Sequence, residues 1–243
     1  MAEFLLYGRT DYSDVLDFTR SLREAGEQID SPRAVAFAAT VSGEVKLLSG
    51  DLDAALLELR EGVELHHQIG ANAGEALALQ RLAELHIELD DHDEALRLLD
   101  EALPLARWSA LSQHLVQRIF GTMIDATSDP DEARAVVDRA ARAIGPSDMC
   151  IFCTVMIAVP SSIACARVGD VEEAARHLMM AEMSAMAWQG TAWQGAVTEA
   201  KAYLARAEGG DDAEALLGEA AELFERAGQP LDVARCRAGF PIS

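Results

Sequence analysis

Five alanines, Ala55, Ala95, Ala133, Ala174 and Ala213, recur at intervals of 38 to 41 residues, and each brings the same company. Four positions on stands a larger aliphatic residue: Leu59, Leu99, Val137, Leu178 and Leu217. Seven positions on stands a small one: Gly62, Ala102, Ala140, Ala181 and Ala220. Positions i, i+4 and i+7 lie on one face of a helix, so each such helix offers small–large–small to a neighbour. Twelve residues before the alanine come Gly43, Ala83 and Gly121, where an earlier helix can approach closely. Each unit therefore reads as helix–turn–helix. A fixed period in this range is the mark of a stacked repeat rather than of independent domains.

The turns agree. Gly50-Asp51 and Gly169-Asp170 supply a residue tolerant of left-handed geometry and then an Asp to cap the next helix, while Ser128-Asp129-Pro130 puts proline at the first helical position. No sustained two-residue alternation signals a strand. The expectation is an all-α solenoid of about five units, each about 40 residues long, forming a single domain over residues 1–243. Residues 1–30 read as a partial N-terminal repeat, 31–229 as the repeats, and 230–243 as a capping helix opened by Pro230 with its tail.

Charge narrows the partners. The formal net charge is −21, with Lys46 and Lys201 the only lysines. Such a surface repels phosphate backbones and anionic lipid, so direct nucleic-acid binding by this segment is not expected. The longest apolar run, Met149 to Pro160, is too short to span a bilayer, and Phe4–Tyr7 is too short for a secretory signal core. Four cysteines are too few for a disulfide scaffold, which points to a reducing cytoplasm and no membrane association.

The small residue early in each second helix, the Gly-Asp turn before it and the small residue seven later resemble tetratricopeptide (TPR) repeats. Three segments are similar to the C-terminal regions of large high-GC bacterial transcription activators of the LuxR and antibiotic-regulator types: Leu103-Pro104-Leu105-Ala106-Arg107-Trp108, Ile163 to Asp170, and Gly190-Thr191-Ala192-Trp193-Gln194. The resemblance implies a right-handed superhelix whose first helices line a concave groove. It also implies a non-enzymatic module that binds a protein, peptide or small effector there. Projecting the repeat puts Phe37, Glu44, Gln80, Glu84, Arg118, Thr122, Met156, Val159 and Thr198 toward that groove.

Two local oddities stand outside the repeat. In Cys150-Ile151-Phe152-Cys153 the two thiols are three apart and share a face if helical, so they could grip one metal ion such as zinc, with His114 from the preceding repeat and Cys165 or His177 as further ligands. The alternative is three small core residues. A metal- or redox-responsive sensor is thus the second functional reading. Pro160 either kinks a first helix, clashing with the carbonyl of Met156, or opens a fresh one. His66, His67, His86 and His92 fall on different helices or turns. No zincin, nucleophile-elbow, Walker or dinucleotide motif is present, so no enzyme is expected. Residues 11–25 read as the second helix of a further unit with only the stub Phe4-Leu5-Leu6-Tyr7 before it. An uncapped apolar edge of that kind suggests either a piece of a longer protein or a homodimer through the N-terminal edge, acting as a self-assembly unit.

Overall fold

The computed structural model describes residues 2–145 and 150–240, with the side chains of residues 2 and 3 left aside. Among them it contains thirteen helices and no strand. A short α1 (Ala2–Leu6) and α2 (Tyr12–Gln28) precede the repeats. The first unit pairs α3 (Pro32–Leu48) with α4 (Leu52–Gln68), the second α5 (Asn72–Glu88) with α6 (His92–Arg107), and the third α7 (Ser112–Ala126) with α8 (Pro130–Ala143). The fourth pairs α9 (Thr154–Arg167) with α10 (Val171–Ala185), the fifth α11 (Ala192–Glu208) with α12 (Ala213–Ala227), and α13 (Pro230–Ala238) closes the chain. Consecutive helices pack as antiparallel pairs, and the first helices α3, α5, α7, α9 and α11 also pack on one another as an inner layer.

The repeat pattern explains the packing. Ala55, Ala95, Ala133, Ala174, Leu59 and Leu99 are all fully buried. A Cβ on Gly43 would lie 2.7 Å from Cγ of Leu59, so α3 and α4 can meet only because position 43 is bare. The caps form as the sequence requires. Asp51, Asp91, Asp129 and Asp170 each accept a backbone N–H from the first turn of the helix they open, at 2.9–3.4 Å. The fifth unit departs from this register: α12 begins at Ala213 itself rather than three residues earlier, and Asp212 makes no side-chain cap bond.

Two expectations need correction. Cys150 and Cys153 are not on a helix; they bracket a turn in which the Cys153 and Thr154 amides donate to the Cys150 carbonyl at 3.0 and 2.9 Å, and Cys153 caps α9. The helix α9 runs without interruption through Pro160. The proline removes the amide that would have bonded the Met156 carbonyl. That carbonyl instead faces Gly121 on α7, where an added Cβ would collide with it. Gly121 and Pro160 are thus two halves of one close helix contact.

The chain also closes on itself. Gln229 Nε2 donates to the Tyr12 hydroxyl at 2.8 Å, and Pro230 and Leu231 rest against Gly50. The N-terminal edge is not left bare, as the sequence suggested it would be. Leu6 and Tyr7 are buried, with Tyr7 stacked 4.7 Å from Trp193 and edge-on to Trp188 at 5.9 Å. Phe4 reaches Trp188 and Phe152 at 5.0 and 5.4 Å. Tyr7 and, half-exposed, Phe4 thus pack on this chain's own fourth and fifth units.

Candidate functional site

Closing the solenoid leaves a lumen of about 370 Å³, lined by α5, α7, α9 and α11 and covered by Tyr7 and α13. Six of the nine residues projected toward the groove line it: Gln80, Glu84, Arg118, Thr122, Met156 and Val159. Glu44 lies behind the wall, fully buried under Arg81, with which it forms an ion pair. Phe37 lines a separate open hollow of about 860 Å³ at the start of α3, α5 and α7, with Leu77, Leu111 and Leu115. Thr198 is turned back to its own helix and donates to the Gln194 carbonyl at 2.9 Å.

One end of the lumen is a dry ionic network. Arg81 donates to Glu84 and, at 2.9 Å, to the Tyr7 hydroxyl. Arg118 reaches Glu44 and Gln80, each at 3.3 Å, and Gln80 donates to Thr122 at 2.8 Å. Charges taken out of water must be paired and hydrogen-bonded to be tolerable, and here the pairing spans three successive units and the N-terminal stub. Burial drives the Tyr7 phenol far above its usual range, so Tyr7 stays a neutral acceptor.

The other end is acidic and open to the lumen. Arg235 on α13 donates to both carboxylate oxygens of Glu199 at 2.9 and 2.8 Å and pairs with Asp232 at 2.7 Å. Burial works against the Arg235 charge, but Glu199 and Asp232 hold it well above the ordinary arginine range. Asp125 and Glu88 share this end, and no hydrogen bond or ion pair of the Asp125 side chain exists among the described residues. Asp125 and Glu88 are nonetheless solvent-exposed, with protein walls around them on the lumen side. Burial among protein walls pushes the Asp125 carboxyl up to about 7, with Glu199, Glu84 and Asp232 adding to the rise and Arg235 opposing it. Burial raises Glu88 and Asp232 as well.

Sequence reasoning missed this end. Asp125 stands four residues after Gly121, where the first two units carry Leu47 and Ile87 after Gly43 and Ala83. A carboxylate in an apolar register was a legible signal. Asp232 and Arg235 lay in a helix read only as a cap.

The cysteine turn comes together differently from the expected set. His114, Cys150 and Cys153 place their ligand atoms within 4.8 Å of one another, and His114 Nδ1 lies 3.1 Å from Cys153 Sγ. Cys165 and His177 do not join them. Burial raises the Cys165 thiol to about 11 and, on α10, lowers His177 to about 4, which marks both as neutral packing groups. Of the other histidines, His67 pairs with Glu75 at 2.9 Å and His92 with the Ala126 carbonyl at 3.0 Å.

The chain superposes on the crystal structure of a Rap protein complexed with competence and sporulation factor, with a TM-score of 0.63 at 17% identity. The match covers 92% of this chain and 67% of that one. This is a TPR-like helical repeat similar to a Rap protein. At that identity the likeness carries the fold alone, and no family model and no curated protein sequence matches the chain. Among the described residues, no helix is long and apolar enough to cross a membrane.

Proposed function

We propose that the chain is a non-catalytic, TPR-type binding and effector-sensing module of a regulatory protein. Its lumen takes a short peptide or small effector through a cationic group. The observation that carries this reading is Asp125, a carboxylate with no partner of its own among the described residues, in a half-open acidic pocket beside Glu88, Glu199 and Asp232 with Arg235 as their shared counter-charge. A cation placed there would offset the burial that raises Asp125, Glu88 and Asp232 and add charge-assisted hydrogen bonds. The volume, about 370 Å³, sits at the small end of ligand pockets and admits one or two side chains or a small effector, not a folded partner.

Binding is the reading we favour because the lining is rich in charge-pairing groups and, among the described residues, holds no Ser, Cys or His. The compared Rap protein is complexed with competence and sporulation factor, and the similarity of three segments to large transcription activators supports the regulatory half of the reading. A ligand bridging Asp125 on α7 and Asp232 on α13 would change how the units stack, since each touches little beyond its neighbours and the closing seam.

The test is calorimetric titration with short arginine-bearing peptides and with the same peptides carrying citrulline. Saturable binding of the arginine form, weakened about tenfold or more by Asp125→Asn, is expected for a charge-assisted contact. Equal binding of both forms, or no saturable binding by either, would sink the reading.

A further inference from the structure

We propose that His114, Cys150 and Cys153 form a binding site for a thiophilic divalent cation of the zinc class, independent of the lumen and of what the lumen binds. Three ligand atoms of the right chemistry converge, all within 4.8 Å of one another. The spacing suits a tetrahedral ion with Zn–S near ~2.3 Å and Zn–N near ~2.0 Å, for which ligand atoms sit about 3.5–3.8 Å apart. The His114–Cys153 approach at 3.1 Å already has the imidazole Nδ1 aimed at the thiol. Imidazole and thiolate together select zinc or cobalt over calcium or magnesium, which take oxygen ligands.

The framework holding these ligands is built. The Cys150 carbonyl receives the Cys153 and Thr154 amides and, at 2.8 Å, the Thr154 hydroxyl, so the turn between the cysteines is fixed. Thr154 also reaches Gln117 at 3.3 Å, one turn beyond His114 on α7. The histidine and the cysteine turn are thus held in register by a bond that is not itself part of the site. His114 is exposed and Cys150 half-buried, so an ion can enter, and no fourth His, Cys, Asp or Glu joins them among the described residues. Three protein ligands with one open position describe an exchangeable site rather than a closed structural one. On binding, each thiol gives up its proton to solvent and the two thiolates neutralise the dication.

The ion would act as a staple between the third and fourth units, because His114 belongs to α7 and the cysteines to the entry of α9. Phe152, between the cysteines, accepts the Trp188 indole N–H at 3.0 Å and packs edge-on against Phe4. Metal occupancy would therefore be read by the aromatic cluster that covers Tyr7.

The experiment uses the full chain, stripped with a chelator and kept reduced, titrated with cobalt(II) and then with zinc(II). One cobalt per chain is expected, with a thiolate-to-cobalt charge-transfer band, displacement by zinc and a change in Trp188 emission. Cys150→Ser with Cys153→Ser should abolish the band with far-ultraviolet dichroism unchanged. His114→Ala, at an exposed position that does not endanger folding, should keep a band and weaken binding about tenfold or more. No band, a band that survives in the double serine variant, or a His114→Ala variant that binds as the wild type does would overturn the proposal. A Cys150–Cys153 disulfide as the sole chemistry under air, with no metal uptake when reduced, would also overturn it.

Discussion

The two ends of the lumen are built from the same residue types and behave in opposite ways. At one end Glu44, Arg81 and Arg118 are buried to within a few per cent, locked to one another and to Tyr7. At the other, Asp125 and Arg235 are open to solvent beside Glu199 and Asp232, and acid outnumbers base. The difference is what surrounds the charges. Where helices and the N-terminal stub exclude water, each charge must have its counter-charge in place, so the network is structural. Where the wall is incomplete, water lets a carboxylate remain without one, and that carboxylate is what a ligand can complete.

Breaking the dry end should cost most. Arg81→Met leaves Glu44 buried against a single remaining arginine, and a loss of about 3–5 kcal/mol is expected in urea unfolding. A loss under about 1 kcal/mol would mean that water reaches Glu44 and that the two ends are alike. Next comes the helix contact behind both ends. Gly121→Ala drives a Cβ into the Met156 carbonyl, a backbone group that gives way only if its own helix shifts, and about 2–3 kcal/mol should be lost. Reversion of that loss by adding Pro160→Ala would tie the two residues to one contact, since the restored amide could draw the carbonyl back into its own helix.

Tyr7→Phe is a finer probe. It deletes one hydrogen bond to an arginine that keeps its carboxylates, so about 1 kcal/mol is expected, with the Trp188 and Trp193 stacking retained. The smallest effect is a dependence on pH at the open end. The Asp125 carboxyl is raised from 3.8 to about 7 in the fold, so the folded protein holds its proton more firmly than the unfolded chain does. The resulting stability is fully present below pH 3.8 and is lost as pH rises through about 7. Asp125→Asn should therefore raise the thermal midpoint above pH 7 and leave it unchanged near pH 3.5, the difference growing across the window between. The charges facing Asp125 are Arg235, Glu199, Glu84 and Asp232, and lumen water screens them all, so a shift of a few degrees is the expected size. A midpoint difference independent of pH would show that Asp125 is ordinary surface.

What the sequence made legible follows from period and steric rule. Ala55 with Leu59 and Gly62 placed the second helices, Gly43 and Gly121 the close approaches, and Asp51, Asp129 and Asp170 the helix starts, because each is a local requirement repeated at a fixed interval. Gln80, Glu84, Arg118 and Thr122 were placed on the lumen wall by the same register. Glu44 shares that register but is covered by Arg81, a contact between units that no period encodes. The acidic end depends on closure: Arg235 lies far from Glu84 and Asp125 in sequence and meets them only because α13 returns across the first unit. The cysteine turn was found as a motif and misplaced on a helix, since the break in the repeat before α9 has no counterpart in the other units.

The bond from Gln229 to Tyr12 has a consequence for how such a chain can change over generations. An open solenoid can be lengthened or shortened by whole units, each insertion merely adding a rung. Here the unit count is fixed by geometry. One duplication would carry Gln229 and Pro230 past Tyr12 and Gly50 and part the seam that holds α13 across the pocket. Divergence in this architecture is then confined to substitution within the units and to the segments joining them.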